Sequence, residues 1–359
     1  MNFSKKIIFL PLLLLLLAPF FSPIWAQDIA EKTMEGEIMA VLEEKKTEDQ
    51  LYQKLEVLLN KGDLAGQKVT VETGSVPAAN QPRFLVGDKV LVVVSKDFEG
   101  NDVFYIADFI RRQTLLSLFL IFIILVIAVG RWRGVGSLFS LAASFLVILL
   151  FVLPQINQGK DPVLMSILAS FLIIPLMFYL SHGVNNKTTA AVLGTLIALA
   201  ITGFLAKISV TAAKLTGFTS DEAGFLQIGK GGIINMKGLV LAGIIIGALG
   251  VLDDVTVSQS SVVQQLRKAN PKIKPFHLFT QALSVGQDHI ASMVNTLILV
   301  YTGASFPLLL LFIDNPQPFS QVINYEIIAE EIVRTLTGSI GLILAVPITT
   351  ILAVKMIRN

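Results

Sequence analysis

Three groups of ionisable residues stand inside or beside apolar runs long enough to cross a bilayer, where each charge costs about 2.5 to 3.5 kcal/mol to insert. Asp253 and Asp254 lie within the stretch Leu239 to Val263. Two adjacent carboxylates in a low dielectric should not both ionise, which is the condition for a proton carrier. The same pair is solvated at a headgroup boundary if its helix ends at Val257, and Ser258, Gln259, Ser260 and Ser261 suit either placement. A second group is Gln287-Asp288-His289, followed by Ser292, Asn295 and Thr296. On a helix, positions 288, 292 and 295 share a face that has to meet protein or water. His289 could titrate near neutral pH with Asp288 as its partner, or Asp288 could sit at a helix start and favour its dipole. A third group is Glu330, Glu331 and Arg334, spaced i,i+4 and i,i+3 for pairing along one helix. An inward-pointing Arg334 would instead be a counter-charge for a neighbouring helix.

The elements that position these groups follow from composition. Hydrophobic residues make up 53% of 359 positions and charged residues 15%, against roughly a quarter charged in soluble domains. The deficit lies after residue 113, in seven apolar stretches at about 113–130, 135–153, 162–180, 189–208, 238–263, 286–313 and 330–354. Each approaches the ~20 residues that span a bilayer core. A net charge of +2 leaves no basic face for nucleic acid. The absence of cysteine excludes disulfides and thiolate sites, and His182, His277 and His289 lack metal spacing, so no metal or cofactor is expected. No nucleophile-base pair, zinc motif or phosphate loop points to an enzyme.

Residues 1–26 have the layout of a secretory signal, with Lys5 and Lys6 before an apolar run and a polar exit ending at Ala26, or of an uncleaved anchor. Residues 27–112 read as a separate extracytoplasmic domain. Apolar and polar residues alternate at Thr33–Val41, Gln50–Leu58, Gln67–Val71, Lys89–Ser95 and Val103–Ala107, with turn signals at Gly62, Gly87 and Gly100. Five short strands predict a small barrel of the OB or SH3-like kind.

With that domain outside, the inner connections hold Arg131, Arg133, Lys187, Arg267, Lys268, Lys272, Lys274, Lys355 and Arg358. The outer ones hold Arg111, Arg112, Lys160, Lys207, Lys214, Lys230 and Lys237. This positive-inside bias puts the C-terminus in the cytoplasm. The loop 209–237 is glycine-rich, and Gly229-Lys230-Gly231-Gly232 reads as a plain loop or as backbone able to approach an anion. Gly243–Gly247 and the set Gly338, Gly341 and Ala345 offer small faces for helix packing, and Pro175 and Pro347 fall within spans.

Three blocks carry a family resemblance: Gly247 to Gln259 (GALGVLDDVTVSQ), Gly286 to Asn295 (GQDHIASMVN) and Ala329 to Gly341 (AEEIVRTLTGSIG). With these the chain resembles the YibE/F family of bacterial membrane proteins. The resemblance implies a multi-pass protein of the bacterial cytoplasmic membrane and brings no substrate. A shorter likeness, Gly250-Val-Leu-Asp-Asp-Val-Thr-Val, is similar to the stretch bearing the paired aspartates of resistance-nodulation-division pumps, where that pair relays protons. The chain lacks those pumps' duplicated half and large outer domains.

The expectation is thus an α-helical polytopic membrane protein with about seven transmembrane helices (113–359) behind a signal sequence and a small outer β domain. Its functional reading is a secondary transporter or permease, with Asp253, Asp254, Asp288, His289, Asn295 and Arg334 as pathway candidates. The alternative is a non-transporting scaffold or envelope assembly factor. The implied partners are the lipid bilayer, an unidentified small solute or ion, and an envelope protein reached through residues 27–112.

Overall fold

A computed structural model of the chain describes residues 33–47, 50–74, 82–97, 99–314 and 317–357. The expected signal segment 1–26 and Arg358 lie outside the described residues. Two compact units divide between Leu125 and Val126.

In the N-terminal unit the alternating runs become five antiparallel strands: β1 Thr33–Thr47, β2 Gln50–Lys61, β3 Lys68–Thr73, β4 Lys89–Lys96 and β5 Asp102–Phe109. Their order is β3-β2-β1-β4-β5, and β3 and β5 at its two ends come into contact, so the sheet curls into a half-barrel. Period-two alternation puts Met34, Ile38, Leu55, Val57, Leu59, Val71, Val90 and Val92 on the inner face with Phe84. One polar side chain joins them. Gln53 is fully buried, accepts from the Phe84 N–H at 2.9 Å and donates to the Phe84 carbonyl at 3.0 Å. Its amide stands in for a missing strand and satisfies backbone that would otherwise be buried unpaired. At Gly62 the chain turns with φ 109°, and a β-carbon there would collide with Met34.

The rest is helical. Helix α1 (Arg112–Val147) runs through a π-helical turn at Ile148–Val152 into α2 (Leu153–Asn157). Then follow α3 (Pro162–His182), α4 (Asn186–Ala212), α5 (Asp221–Gly229), α6 (Met236–Ala269), α7 (Pro275–Ala304), α8 (Phe306–Asp314), α9 (Phe319–Val322) and α10 (Glu326–Met356). Side-chain oxygens of Asp161, Asn185 and Asn235 accept from the first free N–H groups of α3, α4 and α6, fixing where these begin. Pro175 and Pro347 sit inside α3 and α10, and both helices continue past them.

Five of these helices are long and apolar enough to cross a membrane: Arg112–Asn157, α3, α4, α6 and α10. The first would be about 69 Å long if straight, more than twice a bilayer core. It is not straight. Arg131 has φ 50° and ψ −135°, and Gly134 lies directly against the Val126 carbonyl, eight residues away and about 12 Å along any unbroken helix. The chain therefore doubles back at Arg131, between the expected stretches 113–130 and 135–153. The expected stretch 286–313 belongs to α7 and α8, which are separated at Ser305. Gln287, Asp288, His289 and Asn295 dilute the apolar character of α7.

The packed core is built from α3, α4, α6, α7 and α10 together with Val147, Phe151, Val152 and Ile156 at the end of the first helical segment, and α4 and α10 are in the closest embrace. That contact is reciprocal. Gly194 of α4 receives Thr349 of α10, and Gly341 of α10 receives Thr202 of α4, so an antiparallel pair is notched at two points. Lipid tails are as apolar as the helices, so association depends on such close packing rather than on hydrophobic burial. Gly341→Ala places a methyl against Thr202 Oγ1 and is expected to cost about 1–3 kcal/mol. Adding Thr202→Ala should restore much of that loss. Thermal unfolding of the two single variants and the double variant in detergent measures the coupling.

Candidate functional site

The polar residues of the bundle lie at defined heights along the helices. Thr195 of α4 and Thr256 of α6 share a hydrogen bond of 2.7 Å, both fully buried. Thr195 is nine residues into α4, about 14 Å along it, which sets this contact well inside the span. Gln259, one turn further along α6, donates to the Ala282 carbonyl of α7 at 2.8 Å and to Thr350 Oγ1 of α10 at 2.7 Å. Gly286 admits this arrangement, since a β-carbon there would stand 2.9 Å from Gln259 Oε1. Three helices are tied through one amide.

Asp253 and Asp254 sit one turn from Thr256 towards the start of α6, at the middle of a helix that continues to Ala269. The alternative of a helix ending at Val257 is thereby set aside. Asp253 is half-buried and Asp254 is exposed on the open side of α6. Gly243, Gly247 and Gly250 are exposed on the same face, and a β-carbon at Gly243 or Gly250 would meet nothing within 4 Å. On this small-residue face only Tyr301 comes near among the described residues, 3.6 Å from where a β-carbon at Gly247 would stand, whereas Gly341 and Ala345 of the second set are packed in the core. Neither aspartate forms an ion pair with a lysine or arginine among the described residues. His289 on α7 lies within electrostatic reach of Asp254. The Nε2 atom of His289 is buried and has no hydrogen-bond partner.

Helix α7 begins at Pro275, thirteen residues before Asp288, so Asp288 does not cap a helix start. The expected stripe of Asp288, Ser292 and Asn295 does share a face, and all three are exposed. Successive residues on a helix diverge by about 100°, so Asp288 and His289 point to different sides, Asp288 exposed and His289 half-buried. The structure places His289 within electrostatic reach of Asp254, next to Asp253 in the chain, and leaves Asp288 and Asn295 exposed on α7.

A family model described as YibE/F-like protein matches residues 118–359. The chain belongs to the YibE/F-like family. The match takes in both aspartates, His289 and the third group on α10. No curated protein and no solved structure matches the chain.

At the other end of this YibE/F-like bundle, Arg334 Nη2 lies 2.6 Å from Glu330 and Nη1 lies 2.8 Å from Glu331, both within α10. Glu330 is buried and also accepts from Thr219 Oγ1 at 2.9 Å. Arg334 is thus engaged along its own helix and is separate from the aspartate site. Next to this triad, the Glu326 carboxylate accepts from the N–H groups of Thr216 and Gly217 and from Thr216 Oγ1. This latch joins the loop before α5 to the start of α10. Sequence reading could not have found it, because its partners are 110 residues apart. The glycines after α5 do not form an anion cradle. The N–H groups of Gly231 and Gly232 are taken by the carbonyls of Ile228 and Gln227 as the helix unwinds.

Removing Arg334 leaves Glu330 buried without its cation, so Arg334→Leu is expected to cost about 3 kcal/mol or more. Glu331→Gln, which spares the Glu330 pair, should cost under about 1 kcal/mol. Denaturation of both variants in detergent gives the comparison.

Proposed function

We propose that this chain is a secondary transporter or permease of the bacterial cytoplasmic membrane, with protons carried by Asp253 and Asp254 and passed by His289. The observation that carries the reading is the pair of carboxylates held mid-helix without a lysine or arginine partner among the described residues, near a histidine whose Nε2 is buried without a hydrogen bond. A carboxylate at such depth is accommodated most cheaply by binding a proton or cation. The short likeness to proton-relay helices of resistance-nodulation-division pumps supports the same assignment. Asp288, Ser292 and Asn295, exposed on α7, then border the path of the small solute or ion, since a polar stripe is not stable against lipid tails.

In this reading the chain crosses seven times, the first two crossings being the arms on either side of Arg131. The half-barrel domain is extracytoplasmic and the C-terminus cytoplasmic. Support comes from the charges. Lys187 interacts electrostatically with Arg133 and Lys268, so basic residues from three connections gather at one end of the bundle, as cytoplasmic ends require.

A scaffold or assembly role is favoured by one feature of the outer domain. Gly87 donates to the Ile38 carbonyl at 2.8 Å, which brings the exposed Leu85 and Val86 beside exposed Met39, an apolar surface suited to an envelope protein.

Carbodiimide labelling in native membranes separates the two, because the reagent attacks protonated carboxyls in apolar surroundings. Labelling of Asp253 or Asp254 that is present in mild acid and fades at alkaline pH is expected, with activity falling at least tenfold in Asp254→Asn at unchanged abundance. Absence of labelling at every pH, with Asp254→Asn cells unaffected and a deletion of residues 27–112 disabling, would establish the scaffold role instead.

A further inference from the structure

Lys207 is five residues from the end of α4, about 8 Å inside a membrane-crossing helix. Its side chain is exposed, and among the described residues it has no acidic partner. A lysine at that depth is tolerated when its ammonium reaches the headgroup layer or meets an anion there. Beside it a cavity of about 320 Å³ opens between α3, α4 and α6. Its walls include Phe171, Leu199, Gly203 and Ile245, with Lys207 at one end. Ser170 also lines it, but its hydroxyl is already spent on the Ser166 carbonyl at 2.7 Å. Along α4 the lining runs from Leu196 to Lys207, eleven residues or about 16 Å, so the groove is elongated in the direction of a lipid tail.

We propose that this groove holds one acyl chain of an anionic phospholipid, with the headgroup phosphate bound by Lys207. The apolar walls ask for hydrocarbon, and the surrounding bilayer supplies it. A zwitterionic headgroup brings its own ammonium, which finds no carboxylate ion-paired to Lys207 to accept it. A net-negative headgroup leaves the lysine neutralised. The groove is distinct from the aspartate site, whose residues do not line it. Gly203 gives it depth: a β-carbon there would lie 3.6 and 3.7 Å from Ile245, ordinary contact distances, so larger side chains fill the groove without displacing backbone.

The test is native mass spectrometry of the full chain released from nanodiscs of equal parts phosphatidylglycerol and phosphatidylethanolamine. The retained lipid is expected to be phosphatidylglycerol by at least fivefold. That preference should persist in Lys207→Arg and in the control Lys214→Gln, and fall to parity in Lys207→Gln. Gly203→Leu should remove the retained lipid altogether. A preference unchanged in Lys207→Gln, lipid retained at the original level in Gly203→Leu, or a fatty acid or quinone in place of phospholipid would each overturn the assignment.

Discussion

The interlock of α4 with α10 is the contact from which the rest of the membrane unit is built. Two glycines accept two threonines across an antiparallel pair, Gly194 with Thr349 and Gly341 with Thr202, and each notch sets both the separation and the axial register. In hydrocarbon a helix gains little by leaving lipid, so register has to come from shape and from hydrogen bonds. Both threonines provide the shape, and Thr202 also donates back to the Ala198 carbonyl at 2.8 Å, so its hydroxyl is satisfied while its bulk fills the glycine notch.

Helix α6 is placed by that pair. It packs on α4 through Thr195 and Thr256 and on α10 through Gln259 and Thr350, so the height of Asp253 and Asp254 is fixed from two sides. Polar atoms on the inner faces of these helices are mostly paired, some of them between helices, whereas polar groups on the open faces of α6 and α7 bond at most within their own helix. Asp254, Asp288, Ser292 and Asn295 are all exposed. The division follows the cost of leaving a polar group unsatisfied, which is paid for the inner faces by neighbouring helices and for the open faces by whatever meets them in the membrane.

Much of this was legible in the sequence, for identifiable reasons. Strand periodicity located all five strands because one face of the sheet is buried, and β1 and β2 exceeded their expected ends where bulges let the alternation lapse. Hydropathy separated the stretches 113–130 and 135–153, with Arg131 and Arg133 in the connection, and the reversal falls there. That the hinge residue would be Arg131 rather than the neighbouring Gly130 had no local signal, since positive φ is uncommon for arginine. The exact ends of α6 and α7 decided the placement of Asp253 and Asp288, and they depended on Asn270-Pro271 and Pro275 rather than on the polar residues at 258–261. Asp288 and His289 read as one group because they are adjacent in sequence, and the helix separates them because adjacency is not a shared face.

The two halves of the aspartate-histidine site are anchored unequally. Helix α10 buries Gly341, Leu342, Ala345, Val346, Thr349 and Thr350 in succession, and α6 is held against it along most of its length. Helix α7 buries Leu278, Ala282 and Gly286 near its start and then Leu297 alone. Beyond Gly286 it packs on the core through half-buried Ile290, Met293, Val294 and Tyr301 together with Leu297, and His289 stands at that boundary. The carboxylates therefore sit on the more deeply buried helix and the histidine on the less buried one. Displacement of α7 about its Ala282–Gly286 attachment would change the distance between His289 and Asp254 without disturbing the Gly–Thr interlock. In the proposed proton relay the movement would fall to α7, the less buried of the two, since rebuilding the α4–α10 notches on every cycle would cost far more.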